Sequence, residues 1–287
     1  MTAMPIQHHP DVPGKTVAIE PVEEISLVDA VEETEGHIET DMVLPPRDCT
    51  VRAVLVELGG VSHILSGMDR MTLGRMQNPI RGFLHGAAAV AALGGTVYLV
   101  ARAWGNTMTV VGSVVFGFAL LVMYTVSSLY HSVPWGPAWK RRLQRADHSM
   151  IYLVVAGTFT PIAIAALEGG SLWWCLGLVW GIAAVGIVFK LAMVDVSTGL
   201  SVTLQLVMGW MVIFWLPQIW TRLGPGAIAL IALGGVCYTI GVVFFLTKRP
   251  RLFPRTFSYH ELFHVFVVLA SVFHFLAVVL YALPASV

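Results

Sequence analysis

Residues 108–130 read MTVVGSVVFGFALLVMYTVSSLY, 23 positions without one charged side chain. A helix of that length rises about 34 Å at about 1.5 Å per residue. That spans the roughly 30 Å hydrocarbon core of a bilayer. Six more apolar runs share its character, at roughly 83–101, 148–167, 171–190, 200–220, 225–246 and 262–283. Each holds about the 20 residues a crossing helix needs, and short connectors bearing Gly, Pro or charge separate them. The expected fold is all-α, a seven-transmembrane helix bundle.

Composition agrees with this reading. The chain has 287 residues, of which 56% are hydrophobic and only 12% charged. Soluble domains carry about twice that charged share. The net charge of zero averages two unlike regions, because 12 of the 17 acidic residues precede residue 58. Residues 1–50 are acidic and punctuated by proline, and read as disordered because they cannot bury enough apolar surface to offset their ordering entropy. Residues 51–80 form a membrane-surface region, with a surface helix expected over the apolar stretch 51–66. The membrane domain covers 81–285. Cys49, Cys175 and Cys237 are odd in number and far apart, so neither a disulfide framework nor a Cys-x-x-Cys metal site is expected. Residues 1–30 lack the apolar core of a secretory signal, which leaves targeting to the first span. Basic residues sit in short loops, which argues against a nucleic-acid partner and for membrane lipids.

Those loops also fix an orientation. Arg70, Arg75, Arg81, Lys140, Arg141, Arg142, Arg145, Lys190, Lys248, Arg249, Arg251 and Arg255 fall on the side of the N-terminus, against Arg102 and Arg222 opposite, which is 12 against 2. The positive side faces the cytoplasm, so the N-terminus is expected there and the C-terminus outside. Gly94, Gly95, Gly177, Gly181, Gly234 and Gly235 are expected at close helix contacts. Pro161 and Pro217 are expected to kink their helices.

This topology collects polar residues from three spans in one layer. The second span ends at His131, the third starts at Asp147, and the seventh starts at His260 and His264. Ionisable groups at membrane depth are costly and usually functional. His260 and His264 are four apart and share a helical face. With His131 they make three imidazole ligands and leave a fourth position open, the pattern of a catalytic zinc. Ser127 lies one turn before His131. Asp147 is placed to hold or deprotonate a water.

Plainer readings stand beside these. Asp147 equally suits a helix N-cap. Ser127 suits back-bonding within its own helix. His148 and Tyr130 suit the interface or a neighbouring helix, His85 is a weaker candidate for the same layer, and His274 lies deeper on nearly the face of His260. His260-Glu261-Leu262-Phe263-His264 also satisfies the H-E-x-x-H pattern, in which the glutamate is a metalloprotease base.

Three stretches, SSLYHS at 127–132, RADHSMIYLVVAGTFTPIA at 145–163 and HELFHVFVVLASVFHF at 260–275, resemble the hemolysin III proteins of bacteria, within the wider progestin and adipoQ receptor family. The resemblance covers roughly residues 80–285. It implies a zinc ion near the cytoplasmic face held by His131, His260 and His264, with Asp147 contacting it through water and Ser127 nearby. It needs only His-x-x-x-His in the last span, which makes Glu261 incidental. Many relatives carry a Glu and an Asn/Ser-rich stretch before a histidine at the first span, whereas this chain has QNPIRGFLHG at 77–86 and keeps only His85.

Four functions follow as expectations. The first is a zinc-dependent hydrolase of lipid amides in the inner membrane, since the resemblance extends to ceramidases. The second is a non-enzymatic protein, receptor-like or cytolytic. The third is an intramembrane metalloprotease using Glu261. The fourth, haem binding, is disfavoured because the histidines cluster at one face.

Overall fold

The computed structural model describes residues 76–192, 197–253 and 256–286. The acidic region 1–50 and the surface helix expected at 51–66 lie outside them. The described residues are all-helical apart from one isolated bridge between Phe253 and Phe257. α1 spans Pro79–Ala103, α2 Thr107–Ser132, α3 Pro137–Ala166 and α4 Gly169–Ala192. α5, Thr198–Trp210, continues through a tight 3-10 turn, Met211–Trp215, into α6, Leu216–Thr247. α7 spans Tyr259–Ala277 and runs through a π turn into a last helical turn ending at Ser286.

Among the described residues, six helical stretches are long and apolar enough to cross a membrane. Large apolar side chains point outward from them, among them Trp174 at 77% and Val90 at 73% exposure. A water-facing surface does not carry apolar patches on this scale. α2 and α3 are the most buried helices and form the centre.

The fifth and sixth predicted runs fall on one stretch, Gly199–Thr247, of 49 residues. That is more than twice the about 20 residues of one crossing. Trp210 Nε1 donates to Thr239 Oγ1 at 3.1 Å, and Tyr238 OH donates to Gln205 Oε1 at 3.2 Å. The midpoints of both pairs lie beside Gly224, so the stretch folds back there. Gly224 has φ 79° and ψ 176°, and Pro225 follows. That backbone region is essentially glycine's alone. Pro217 stands in the first turn of α6 rather than at a mid-span kink. Proline lacks a donor and crowds the preceding turn, and the 3-10 segment lies immediately before it.

The ends of the helices meet in two layers. At one end Asn78 N donates to His131 O at 2.8 Å, which ties the start of α1 to the end of α2. At the other end Asn106 Nδ2 donates to Ser286 O at 2.7 Å, and Arg222 pairs with Glu168. Gly82 lies in the first layer, where a Cβ would stand 2.0 Å from Ser132 Oγ. Of the six glycines predicted at close contacts, Gly95 and Gly234 meet one, Gly235 has ordinary spacing, and Gly94, Gly177 and Gly181 face nothing within 4 Å. A small residue permits close packing, but the partner helix decides whether it occurs.

Candidate metal centre

α2 ends where the site begins, and the sequence explains why. Val133 precedes Pro134, and a residue before proline is pushed out of helical geometry; Val133 is extended at φ −91°, ψ 132°. His131 is therefore held in the last turn of α2. Ser258 opens α7 with a capping box, its hydroxyl taking the backbone N–H of Glu261 while the Glu261 carboxylate takes that of Ser258. His260 and His264 ride on the first two turns that this cap secures.

The three imidazoles converge. Ring centroids are 5.3 Å apart for His131 and His260, 4.9 Å for His131 and His264, and 5.0 Å for His260 and His264. One ligand nitrogen from each lies within 4.8 Å of the others. Phe245 of α6 packs edge-on to His260 at 5.3 Å. His131 Nε2 and His264 Nε2 are buried and have no hydrogen-bond partner. Buried polar atoms are almost always satisfied, and orphans call for an explanation such as an ion. Two orphaned imidazole nitrogens beside a third histidine fit a metal ion, so the residues present can hold one.

Asp147 and Ser127 stand next to this cluster, outside the set of mutually close ligand atoms. Asp147 is no N-cap: α3 starts at Pro137, ten residues earlier, behind Gly136. The N-cap reading is corrected because hydropathy marks where a helix turns apolar, not where its hydrogen bonds begin. Ser127 is buried one turn before His131 in α2, and Asp147 lies within α3. Both line a cavity of about 40 Å³ together with His85, His260 and His264. An apolar cavity of about 180 Å³ adjoins it, sharing Met123, Ile151 and Val267 as a common wall. His274 lines this larger cavity, deeper than the cluster as expected, and lies against Gly234.

Glu261 does not face the cluster as a base. Its Oε1 accepts from Arg81 Nε at 2.7 Å, and its Oε2 accepts from Ser258 N at 2.8 Å. Three residues lend more to the site than their sequence context shows. Lys190 reads as a loop charge closing an apolar run, yet it is buried in the wall of the smaller cavity. Gln205 of α5 lines the same wall and donates to His148 O at 3.1 Å. His85 of α1 lies against His264 at 2.8 Å. For Lys190 and Gln205 a lone polar residue in or at the end of an apolar run is the only sequence signal, whereas His85 also stands where relatives carry a first-span histidine.

The family model described as haemolysin-III related matches residues 74–275. Hemolysin-3 of Bacillus cereus is 30% identical over 221 residues, covering 76% of this chain and 98% of the relative. A hemolysin-3 homolog of Bacillus subtilis is 32% identical over 199 residues, covering 69% of this chain and 90% of the relative. The monocyte to macrophage differentiation factor of Homo sapiens is 23% identical over 172 residues, covering 57% of this chain and 67% of the relative. The chain belongs to the haemolysin-III related family and is a multi-pass membrane protein.

Proposed function

We propose that this chain is a zinc-dependent hydrolase of the bacterial plasma membrane that cleaves a lipid amide or a related lipid. His131, His260 and His264 hold the metal, Asp147 moves protons, and Ser127 steadies Asp147. The observation that carries this reading is the pair of buried, partnerless Nε2 atoms on His131 and His264 beside His260. The doubled-back stretch Gly199–Thr247 supports two crossings there and hence seven spans. The basic residues of one layer support a cytoplasmic N-terminus and an outward C-terminus.

Zinc held by His131, His260 and His264 would supply a Lewis acid and a hydrolytic nucleophile at neutral pH. The Asp147 carboxylate takes a proton from the attacking water and returns it to the leaving nitrogen. Ser127, which lines the same cavity as Asp147, orients that carboxylate. The apolar cavity takes the acyl chain, and its shared wall with the polar cavity brings the scissile group beside Asp147. Partners are therefore membrane lipids rather than nucleic acid.

Metal content of detergent-purified protein, with any affinity tag removed, tests this reading. About one zinc per chain is expected, lost in His264→Ala. Well-folded wild type without metal removes the hydrolase reading. Asp147→Asn is expected to keep the metal and lose lipid-amide hydrolysis.

The names of the Bacillus relatives favour a second reading, cytolysis without chemistry. It predicts lysis of erythrocytes by wild type and equal lysis by Asp147→Asn, with no hydrolysis by either.

A further inference from the structure

α1 contributes none of the three clustered ligands, yet two of its side chains grip the helix that carries two of them. Arg81 and His85 are four apart and share a face of α1. Glu261 and His264 are three apart and share a face of α7. The two pairs meet rung by rung: Arg81 Nε to Glu261 Oε1 at 2.7 Å, and His85 Nε2 to His264 Nδ1 at 2.8 Å. Both histidines of the second rung are buried, at 3% and 2% exposure. The rings of Tyr124 and His85 pack in a T-shaped contact at 5.0 Å.

We infer that His85 is a positioning residue for the metal centre, accepting a hydrogen bond from His264 Nδ1–H and so presenting the lone pair of His264 Nε2 to the ion. This rests on the metal-centre reading above and adds to it a role for the first helix. A neutral imidazole has one protonated nitrogen and one lone pair. His264 Nδ1 is engaged by His85 while Nε2 is buried without a partner. An acceptor on Nδ1 places the proton there and frees Nε2. Such outer partners of a ligating histidine fix its tautomer and ring angle. His85 is not a fourth ligand, since the mutually close ligand atoms among the described residues belong to His131, His260 and His264. The Arg81–Glu261 rung joins the same two helices beside it.

The test measures metal affinity of the full-length protein in detergent, by competition with a zinc chelator, and the absorption spectrum of the cobalt-substituted form. His85→Phe keeps a ring but no acceptor, and His85→Gln restores an acceptor. Expected are one equivalent bound in all three proteins, affinity about 10–100-fold weaker in His85→Phe, and recovery of most of that loss in His85→Gln. The cobalt ligand-field bands stay in place in both variants, because the ligand set is unchanged. Wild-type affinity in His85→Phe overturns the inference alone. Loss of stoichiometry or displaced bands in well-dispersed variant protein also overturns it, by making His85 a ligand. Should His85→Phe not yield dispersed protein, His85→Gln decides: unchanged bands and near-native affinity support the role, and shifted bands end it. A wild type that binds no metal brings down the metal-centre reading itself, and this inference with it.

Discussion

Substituting Glu261 with glutamine separates a structural carboxylate from a catalytic one. Both oxygens of Glu261 are occupied, by Arg81 Nε at 2.7 Å and by Ser258 N at 2.8 Å. Glutamine keeps one carbonyl oxygen and turns the other into an amide that can only donate. One of the two donors loses its acceptor, and any bond left to Arg81 loses its charge partner. Side-chain exposure is 21% for Arg81 and 8% for Glu261, so water partly screens the pair and the figures for fully buried pairs are too high. A bond to a charged group is worth about 1.5–3 kcal/mol. With that screening the expected loss is about 1–2 kcal/mol. Glu261→Ala also removes the cap, which adds about 1 kcal/mol. Thermal unfolding in detergent reads the loss, and metal content of the same preparations reads the site. Glu261→Gln is expected to unfold earlier while keeping one metal per chain and nearly native hydrolysis. A general base contributes about 10²–10⁴-fold in rate. Native stability and metal content combined with a loss of that size would refute this reasoning and make Glu261 the base.

Other perturbations test other parts of the fold and site. A Cβ at Gly117 would stand 2.0, 2.5 and 2.7 Å from Oγ1, Cγ2 and Cβ of Thr96, too close for rotation to relieve. Gly117→Ala is thus expected to cost about 1–3 kcal/mol in thermal unfolding, with rescue by Thr96→Gly and only partial rescue by Thr96→Ala. Gly224→Ala forces a side chain into a positive-φ conformation and is expected to cost about 1–3 kcal/mol; unchanged unfolding would contradict the reversal at that residue. Glu168 and Arg222 pair on an exposed surface, so Glu168→Gln is expected to change unfolding by less than about 1 kcal/mol. The Tyr152 hydroxyl donates to Ser201 O at 3.0 Å in a buried setting, and that carbonyl keeps its helical partner in α5, so Tyr152→Phe is expected to cost about 0.5–1.5 kcal/mol.

The parts of this protein legible in its sequence are those governed by single-chain periodicity. Run length located the apolar helices because hydrocarbon thickness sets a length. Spacing of four put His260 and His264 on one face because helical geometry leaves no choice. His131 joined them because alternating crossings return every second connector to one side. The start of α3 was not legible: Lys140 to Arg145 are polar apart from Leu143, and a helix needs hydrogen bonds rather than apolar side chains to continue into water. The engagement of His85 was equally hidden. Its partner His264 lies 179 residues away, and nothing local distinguishes it from any lone histidine in an apolar run. Lys190 misled for a related reason. A lysine closing a span normally extends its stem to the surface, whereas this one lies in a cavity wall. The H-E-x-x-H match is ambiguous by itself, because a capping box and a protease motif both place a glutamate in the first turn; the resemblance reads Glu261 as incidental, and the Arg81 and Ser258 contacts give its carboxylate a structural role.

The reversal at Gly224 bears on how the chain enters a bilayer during its synthesis. Gln205 and Tyr238 bond across the two legs, as do Trp210 and Thr239. A leg entering alone would carry the Trp210 indole N–H or the Tyr238 hydroxyl into hydrocarbon without its partner, at a penalty of several kcal/mol for each such group. Entering together, the legs pair Tyr238 with Gln205 and Trp210 with Thr239, while the Gln205 amide finds His148 O of the earlier α3. Residues 199–247 therefore form a natural unit of insertion, and cutting the chain at Gly224 would burden the translocation machinery with two poor segments in place of one good pair.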